Sequence, residues 1–365
     1  MSSYHRSALP LPMLSGFFLK SFRILLLPFA LIYWLIIFIR NWMYDKHILR
    51  AASFGLPIIG VGNLSVGGTG KSPMVEYLIK VLKDHFRIAT LSRGYKRKTI
   101  GYALADEHST ALEIGDEPMQ FHLKFPDVPV AVGEERIAVI PQLLHDRPDL
   151  QVIILDDAFQ HRSIQPGLNI LLTDYNNLFT RDFYLPTGDL RDLKSGYKRA
   201  DIIVVTKCKP DLAVEERNNI IGEIGPTPAQ QLFFTSIKYG DLYHIVSKEK
   251  IDLNDKDVLL ISGIANPASL KKFLETKSRY YETMLYPDHH IYTIDDWQDM
   301  RKRFEKMESK NKIIISTEKD AVRLIKFTNE IAGMPFYILP VDHQFLFDGG
   351  NRFNRKIINF IQNFK

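Results

Sequence analysis

The residues with the clearest chemistry are Ser65-Val66-Gly67-Gly68-Thr69-Gly70-Lys71-Ser72. Glycines let backbone N–H groups turn inward around phosphate oxygens with no Cβ in the way, and a helix beginning there adds its positive end. A lysine followed by a hydroxyl residue suits the β/γ-phosphates of a nucleotide and a Mg²⁺ ion respectively. The usual pattern opens on Gly where this chain has Ser65, but the setting fits. Pro57–Gly62 (PIIGVG) reads as a buried strand, and Pro73–Lys83 reads as a helix with its proline well placed near the start. A phosphate-binding loop also needs an acid for its metal. Val152–Leu155 (VIIL) runs into Asp156-Asp157, a buried strand delivering carboxylates at its C-terminal end. The chemistry implied is nucleotide-dependent phosphoryl transfer, with Ser72 and Asp156 as Mg²⁺ ligands and Asp157 either as a metal group or as a group that supports the ligands from behind. Val204–Lys209 (VVTKCK) only superficially resembles a guanine-reading element, because Lys209 stands where the base-reading Asp belongs. GTP specificity therefore loses its main support.

The elements that must position these groups alternate along the chain. Ile88–Leu91, Val128–Val132, Val152–Leu155, Leu168–Thr173 and Ile202–Thr206 are short apolar runs separated by stretches of helical character. Runs without polar alternation are buried on both faces, and helices between them imply a parallel, doubly wound sheet with ligands at the strands' carboxyl ends. The pattern weakens near Lys209–Pro210, and Gly225-Pro-Thr-Pro228 resembles a linker. Val258–Ser262, Lys312–Ser316 and Phe336–Leu339 then predict a smaller α/β domain. The tail from Asn351 to Phe364 places Phe353, Ile357, Phe360, Ile361 and Phe364 on one helical face, which is expected to pack on the protein, with membrane contact as the alternative. The expected organisation is an N-terminal region over 1–50, a phosphate-binding domain over 51–225, a smaller α/β domain over 226–350 and an amphipathic helix over 351–365.

From Ile24 to Ile39 there is no charged residue; Lys20 and Arg23 precede the run, and Arg40, Lys46 and Arg50 follow it. The run is bulky and no A-x-A-like site follows, which speaks against a cleaved signal peptide. A buried core helix is the plain alternative. Membrane contact is the preferred reading, either across the bilayer or in its interface, with Trp34, Trp42 and the basic flanks as anchors. Composition is globular, with 45% hydrophobic and 24% charged residues, and the formal charge of +5 suits an anionic partner without choosing one. Cys208 is the only cysteine, which excludes an internal disulfide and a cysteine-cluster zinc site. No basic-aromatic cluster supports nucleic-acid binding.

Several blocks together carry a family resemblance. Asn63–Pro73 (NLSVGGTGKSP), Ser92-Arg93-Gly94-Tyr95, Gly115-Asp116-Glu117-Pro118 and Leu155–Arg162 (LDDAFQHR) resemble the signature blocks of the tetraacyldisaccharide 4′-kinases. Leu185–Asp192 (LPTGDLRD), Ile261–Pro267 (ISGIANP), Pro287-Asp288-His289 and Thr317-Glu318-Lys319-Asp320 follow in family order. The resemblance implies a P-loop NTPase-type α/β fold, with a doubly wound, mostly parallel sheet, a second, smaller α/β domain and an N-terminal hydrophobic membrane helix. It implies ATP and Mg²⁺, with transfer of the γ-phosphoryl group to the 4′-hydroxyl of a tetraacylated glucosamine disaccharide 1-phosphate. The setting implied is the cytoplasmic face of the inner membrane of a Gram-negative bacterium, in lipid A biosynthesis.

Carried over by position, the resemblance makes Asp116 the catalytic base and His289 the histidine paired with it. It gives Asp192 a metal or nucleotide role, and makes Arg93 and Arg191 candidates for phosphate contacts with the substrate. On residue type alone, Asp116 could equally cap a helix and His289 could be an ordinary loop histidine. Ser65 and Ser72 stand for the family's threonines, Ala158 for a glycine and Asp189 for a proline; none of these changes removes a reactive group. In this picture the second domain supplies His289 and closes over the nucleotide to exclude water. The rivals are a membrane-associated P-loop ATPase or GTPase, which would hydrolyse nucleotide without a lipid acceptor, and a non-catalytic nucleotide-binding protein.

Overall fold

The computed structural model describes residues 23–364, so Lys20 and the rest of the first 22 residues lie outside the described residues. The apolar N-terminal run forms helix α1 (Leu27–Asp45), longer than the uncharged stretch because Trp42-Met43-Tyr44 extend it. Only a narrow stripe of α1, Ala30, Ile37 and Asn41, is buried; Phe29, Ile32, Leu35, Ile36, Phe38 and Ile39 face outward.

The first sheet takes β1 (Ile58–Asn63), β2 (Ile88–Ser92), β3 (Ala103–Leu104), β4 (Val130–Val132), β5 (Val152–Leu155), β6 (Leu168–Asp174), β7 (Ile202–Cys208) and β8 (Gln231–Tyr239). Its helices are α2 (Lys71–Leu82), α3 (Ala111–Ile114), α4 (Asp116–Lys124), α5 (Arg136–Asp146) and α6 (Val214–Ile224). Strands β8, β7, β6, β1, β5, β2 and β4 lie side by side and parallel, as their apolar, unalternating sequences require. Strand β1 sits between β5 and β6, with Gly60 opposite Leu155. The phosphate-binding loop after β1 and the aspartates after β5 therefore emerge next to each other at the carboxyl edge of the sheet.

The second sheet takes β9 (Leu242–His244), β10 (Lys250–Ile251), β11 (Asp257–Ser262), β12 (Tyr280–Leu285), β13 (Lys312–Thr317) and β14 (Phe336–Leu339), in the order β10-β9-β14-β13-β11-β12. Helices α7 (Ala268–Lys277), α8 (Ile294–Glu305), α9 (Glu318–Leu324) and α10 (Thr328–Ile331) belong to it. Its core gathers Leu259, Ile261, Tyr292, Trp297, Met300, Ile314 and Phe336.

The chain then returns. Strand β15 (Val341–Phe345) pairs antiparallel with β8 at the edge of the first sheet, and α11 (Gly349–Gln362) packs beneath that sheet. The expected second domain over 226–350 thus differs from the observed sheet membership. Residues 231–239 and 341–345 belong to the first sheet, and the second domain is inserted between them. Gly225-Pro-Thr-Pro228 is not an interdomain linker but the turn from α6 into β8, with Gly225 at φ 59° ending the helix in the left-handed conformation. The two passages between the domains lie side by side, the Gly240 N–H donating to the Pro340 carbonyl at 3.0 Å.

Helix α11 completes the first core instead of standing apart. Phe353 is fully buried, edge-on to Phe233 at 5.4 Å between ring centroids and against Tyr77 and Phe345. Phe353→Ala is expected to cost about 3–5 kcal/mol in urea unfolding monitored by circular dichroism. A loss below about 1 kcal/mol would show that α11 is not part of this core.

Candidate active site

Strand β1 ends at Asn63 and the phosphate-binding loop follows it. Gly67 and Gly70 hold φ of 100° and 86°, which a side chain would strain, and Gly70 leads into α2 at Lys71. Other elements clamp the loop's carbonyls. The Thr206 hydroxyl donates to the Thr69 carbonyl at 2.8 Å, Lys207 donates to that of Gly68, and His343 Nε2 lies 3.0 Å from that of Gly70. A carbonyl held outward leaves the N–H groups of the loop to face inward. Ser65 bridges to Leu190 and the Val66 N–H donates to the Asp189 carbonyl, so the 185–192 segment forms the loop's outer wall.

Lys71 Nζ lies 3.3 Å from Asn63 Oδ1 and 3.6 Å from Asp157 Oδ1. Asp157 sits at φ 48°, and Arg191 grips both its carboxylate oxygens while also reaching Asn63. Burial would raise Asp157, but Lys71 and Arg191 outweigh it and hold the carboxyl well below the usual range. Asp156 behaves oppositely: burial and the Asp157 charge push it up to about 7, and its Oδ1 has no hydrogen-bond partner among the described residues. Behind it Arg136, itself buried, donates to the Asp156 carbonyl at 2.6 Å. A buried, unpaired carboxylate oxygen beside a phosphate-binding loop is the donor a hard divalent cation needs, so Asp156 suits Mg²⁺, and Ser72 is the second residue of α2.

Asp192 does not join that group. One of its oxygens accepts from Asn41 of α1 at 2.7 Å and the other from Arg199 at 2.7 Å. Among the described residues no three Asp, Glu, His or Cys side chains gather as a metal cluster. The carboxylate expected in a metal or nucleotide role is hydrogen-bonded at both oxygens, in a joint between α1 and the body.

The second constellation spans the two domains. Gly115, at φ 95°, packs against the backbone of Gly94, which brings the Gly-Asp-Glu-Pro and Ser-Arg-Gly-Tyr blocks together and starts α4 at Asp116. His289, at φ 62°, comes from the loop after β12, and its Nδ1 meets Asp116 Oδ2 at 2.8 Å. Arg323 of α9 donates to that same oxygen from Nε at 3.0 Å and Nη2 at 2.8 Å. Burial works to raise Asp116, but the hydrogen bonds from His289 and Arg323 prevail and hold it below its ordinary value. All three donors go to Oδ2, leaving Oδ1 without a partner among the described residues. On the other side of the imidazole, Lys319 Nζ lies 3.3 Å from His289 Nε2. Arg323 Nη2 also lies 3.4 Å from His289 Nδ1, so each ring nitrogen has a cationic neighbour. The neighbouring His290 is occupied elsewhere, with Nε2 on Asp296 at 2.9 Å.

The structure thus brings Lys71, Asp156, Asp157 and Arg191 together, and separately Asp116 with His289. Glu117 links the two groups, since it is close enough for its charge to help raise Asp156, and Lys319 reaches it at 3.7 Å. Arg191 is placed on Asp157, not free to meet a substrate phosphate, while Arg93 is exposed near Arg136 and His161, whose protonated forms its charge disfavours. Sequence reasoning missed Arg323, Asn63 and Arg136. Arg323 lies one helical turn beyond the Thr-Glu-Lys-Asp block and Asn63 opens the loop block, so both had a positional signal; Arg136 had none.

The family model for tetraacyldisaccharide-1-P 4′-kinase (LpxK) matches residues 22–362. A tetraacyldisaccharide 4′-kinase of Bacteroides thetaiotaomicron is 44% identical over 354 residues, covering 92% of this chain and 93% of the relative. One from Flavobacterium johnsoniae is 46% identical over 331 residues, covering 89% and 95%. Among solved structures, LpxK from Aquifex aeolicus, an "apo" form in complex with ATP, superposes with a TM-score of 0.72 at 29% identity, covering 93% of this chain and 99% of that one.

Proposed function

The chain belongs to the tetraacyldisaccharide-1-P 4′-kinase family, and we propose that Asp116 is the group that takes the proton from the sugar hydroxyl. The reaction is transfer of the γ-phosphoryl group of ATP to the 4′-hydroxyl of tetraacyldisaccharide 1-phosphate, in lipid A biosynthesis. The observation that carries the role of Asp116 is the division of labour between its oxygens. Oδ2 is held by His289 and Arg323, so Oδ1 is left to accept a proton in a fixed direction. His289 orients the carboxylate, with Lys319 on the far side of its ring.

Lys71 and the loop N–H groups would bind the β- and γ-phosphates and stabilise charge on the transferring group. Ser72 and Asp156 would hold Mg²⁺, with Asp157 kept anionic and oriented by Lys71 and Arg191. Bound there, Mg²⁺ neutralises charge on the phosphate oxygens. Arg93, exposed beside the loop that carries Asp116, remains a candidate contact for a substrate phosphate.

The membrane side of the reading rests on α1. Its outward face is apolar, yet the helix is tied to the body along its length: the Tyr33 hydroxyl to the Arg191 carbonyl at 3.3 Å, Arg40 to the Gln160 carbonyl at 2.8 Å, and Asp45 to Arg162 at 2.6 Å. A helix docked lengthwise on a water-facing domain lies in the interface instead of crossing the bilayer. The need for ATP supports the cytoplasmic face of the inner membrane. Ile36→Glu is expected to weaken binding to anionic vesicles by about 10–150-fold, the loss of one buried apolar side chain. Quenching of Trp34 by lipids brominated near the bilayer centre would overturn the interfacial placement.

The test of function is transfer of labelled γ-phosphate from Mg-ATP to tetraacyldisaccharide 1-phosphate in detergent micelles. Labelled lipid is the expected result. ATP hydrolysis with unlabelled lipid would favour an ATPase instead.

A further inference from the structure

Helices α4 and α9 face each other across the seam between the domains and carry opposite charges at matching ends. Asp116 opens α4 and meets Arg323 near the end of α9. Lys124 closes α4 and meets Glu318, the first residue of α9. The pair is therefore antiparallel and pinned at both ends, with the pins about 12 Å apart along α4 at 1.5 Å per residue. Each acid sits at a helix N-terminus and each base at a C-terminus, which the helix dipoles favour.

The far pin gathers more than two helices. Lys124 also donates to Glu76 on α2, the helix that begins at Lys71. The other oxygen of Glu76 accepts from Gln120 Nε2 at 2.6 Å, and the other oxygen of Glu318 accepts from the Val341 N–H at 3.2 Å. Val341 is the residue at which the chain re-enters the first sheet. One ammonium thus joins the helix behind the phosphate-binding loop, the helix carrying Asp116, and the helix carrying Lys319 and Arg323. Glu76 and Glu318 are both buried, and burial together with the Glu318 charge pushes Glu76 up to about 7. The cleft beside this pin, about 490 Å³, is lined by residues of both helices and by Gly240 and Pro340 of the two interdomain passages.

We propose that Lys124 is a positioning residue for phosphoryl transfer. By holding Glu76 and Glu318 together it sets the angle between α4 and α9, and so the placement of the Asp116 carboxylate against Arg323, His289 and the phosphate-binding loop. Without the ammonium, the bridge that ties Glu76 to Glu318 is gone and the far end of the seam parts. Helix α9 then pivots on Arg323 and carries Lys319 away from the imidazole. A misplacement of about 1 Å at the reacting groups is enough to cost about 100-fold in rate. The inference rests on the reading of Asp116 as proton acceptor.

The experiment is a double-mutant cycle in the labelled-phosphate assay on the full chain. Lys124→Met is expected to lower kcat by about 10–100-fold, with KM for ATP and lipid changed by less than about threefold. Lys124→Arg is expected to recover most of the rate. In an Asp116→Asn background the same Lys124→Met change is expected to have little further effect, because the carboxylate it places is gone. Glu318→Gln leaves Lys124 paired with Glu76, and serves where Lys124→Met fails to fold; it is expected to give a smaller kcat loss of the same kind. Wild-type kcat in Lys124→Met or Glu318→Gln, or an equal loss from Lys124→Met in both backgrounds, would overturn the positioning role while leaving the function intact. A full rate in Asp116→Asn would instead overturn the reading on which it rests.

Discussion

Asp116→Asn is expected to lower kcat for phosphoryl transfer by about 10²–10⁴-fold while ATP binding stays near wild type. The amide keeps the size of the carboxylate but cannot accept the sugar proton, and its oxygen can still receive the hydrogen bonds that Arg323 and His289 give to Oδ2. Single-turnover transfer measured beside ATP affinity by calorimetry separates the two effects; a kcat within about threefold of wild type would remove Asp116 from the chemistry. The carboxylate also links seam stability to pH. Its folded pKa lies below the unfolded value of about 3.9, so the stability it adds is present in full above that value and is lost as pH falls through the folded pKa. The contribution is thus constant through neutral pH, and Asp116→Asn is expected to flatten the stability profile only in acid.

Lys71→Met is the second large effect and carries a different signature. Removing a charge aimed at the β/γ-phosphates is expected to cost about 10²–10³-fold in kcat and to weaken ATP binding as well, because the contact exists before and during transfer. The fold should survive, since Arg191 still holds both oxygens of Asp157 after the Lys71 charge is gone. Calorimetry with an ATP analogue and unfolding by urea check the two statements. Unchanged ATP affinity would show that Lys71 does not reach the nucleotide.

Much of this architecture was legible in the chain because its central strands obey one rule. Strands buried on both faces carry unbroken apolar runs, so β1, β2, β5, β6 and β7 announced themselves to within about two residues, the usual margin for element ends. Strands β8 and β15 did not, because an antiparallel edge pair tolerates Lys238, Asp342 and Gln344 in its sequence. Missing them placed the domain boundary too early and hid the return of the chain. The site divides in the same way. The phosphate-binding loop is local and can be read from spacing, whereas Asp116 and His289 meet across 173 positions and were found through a family resemblance. The joint at Asp192 was not legible, because its partners, Asn41 and Arg199, come from outside the motif. Arg323 was passed over because it lies just outside the Thr-Glu-Lys-Asp block, and its nearness to that block does not say that it will meet an aspartate 207 positions away.

The return of the chain into the first sheet also sets an order on the ribosome. Residues 242–339 form a contiguous sheet and core that can collapse as soon as they emerge. The nucleotide site cannot, although its loop is made much earlier. His343, lodged between Thr235 and the Gly70 carbonyl, and Phe353, Ile357 and Ile361 beneath the sheet all arrive afterwards. Until they do, β8 presents an open edge and the loop lacks one of its clamps. A nascent chain halted before residue 341 would therefore already display the apolar outer face of α1 while its nucleotide-binding half stayed unfinished.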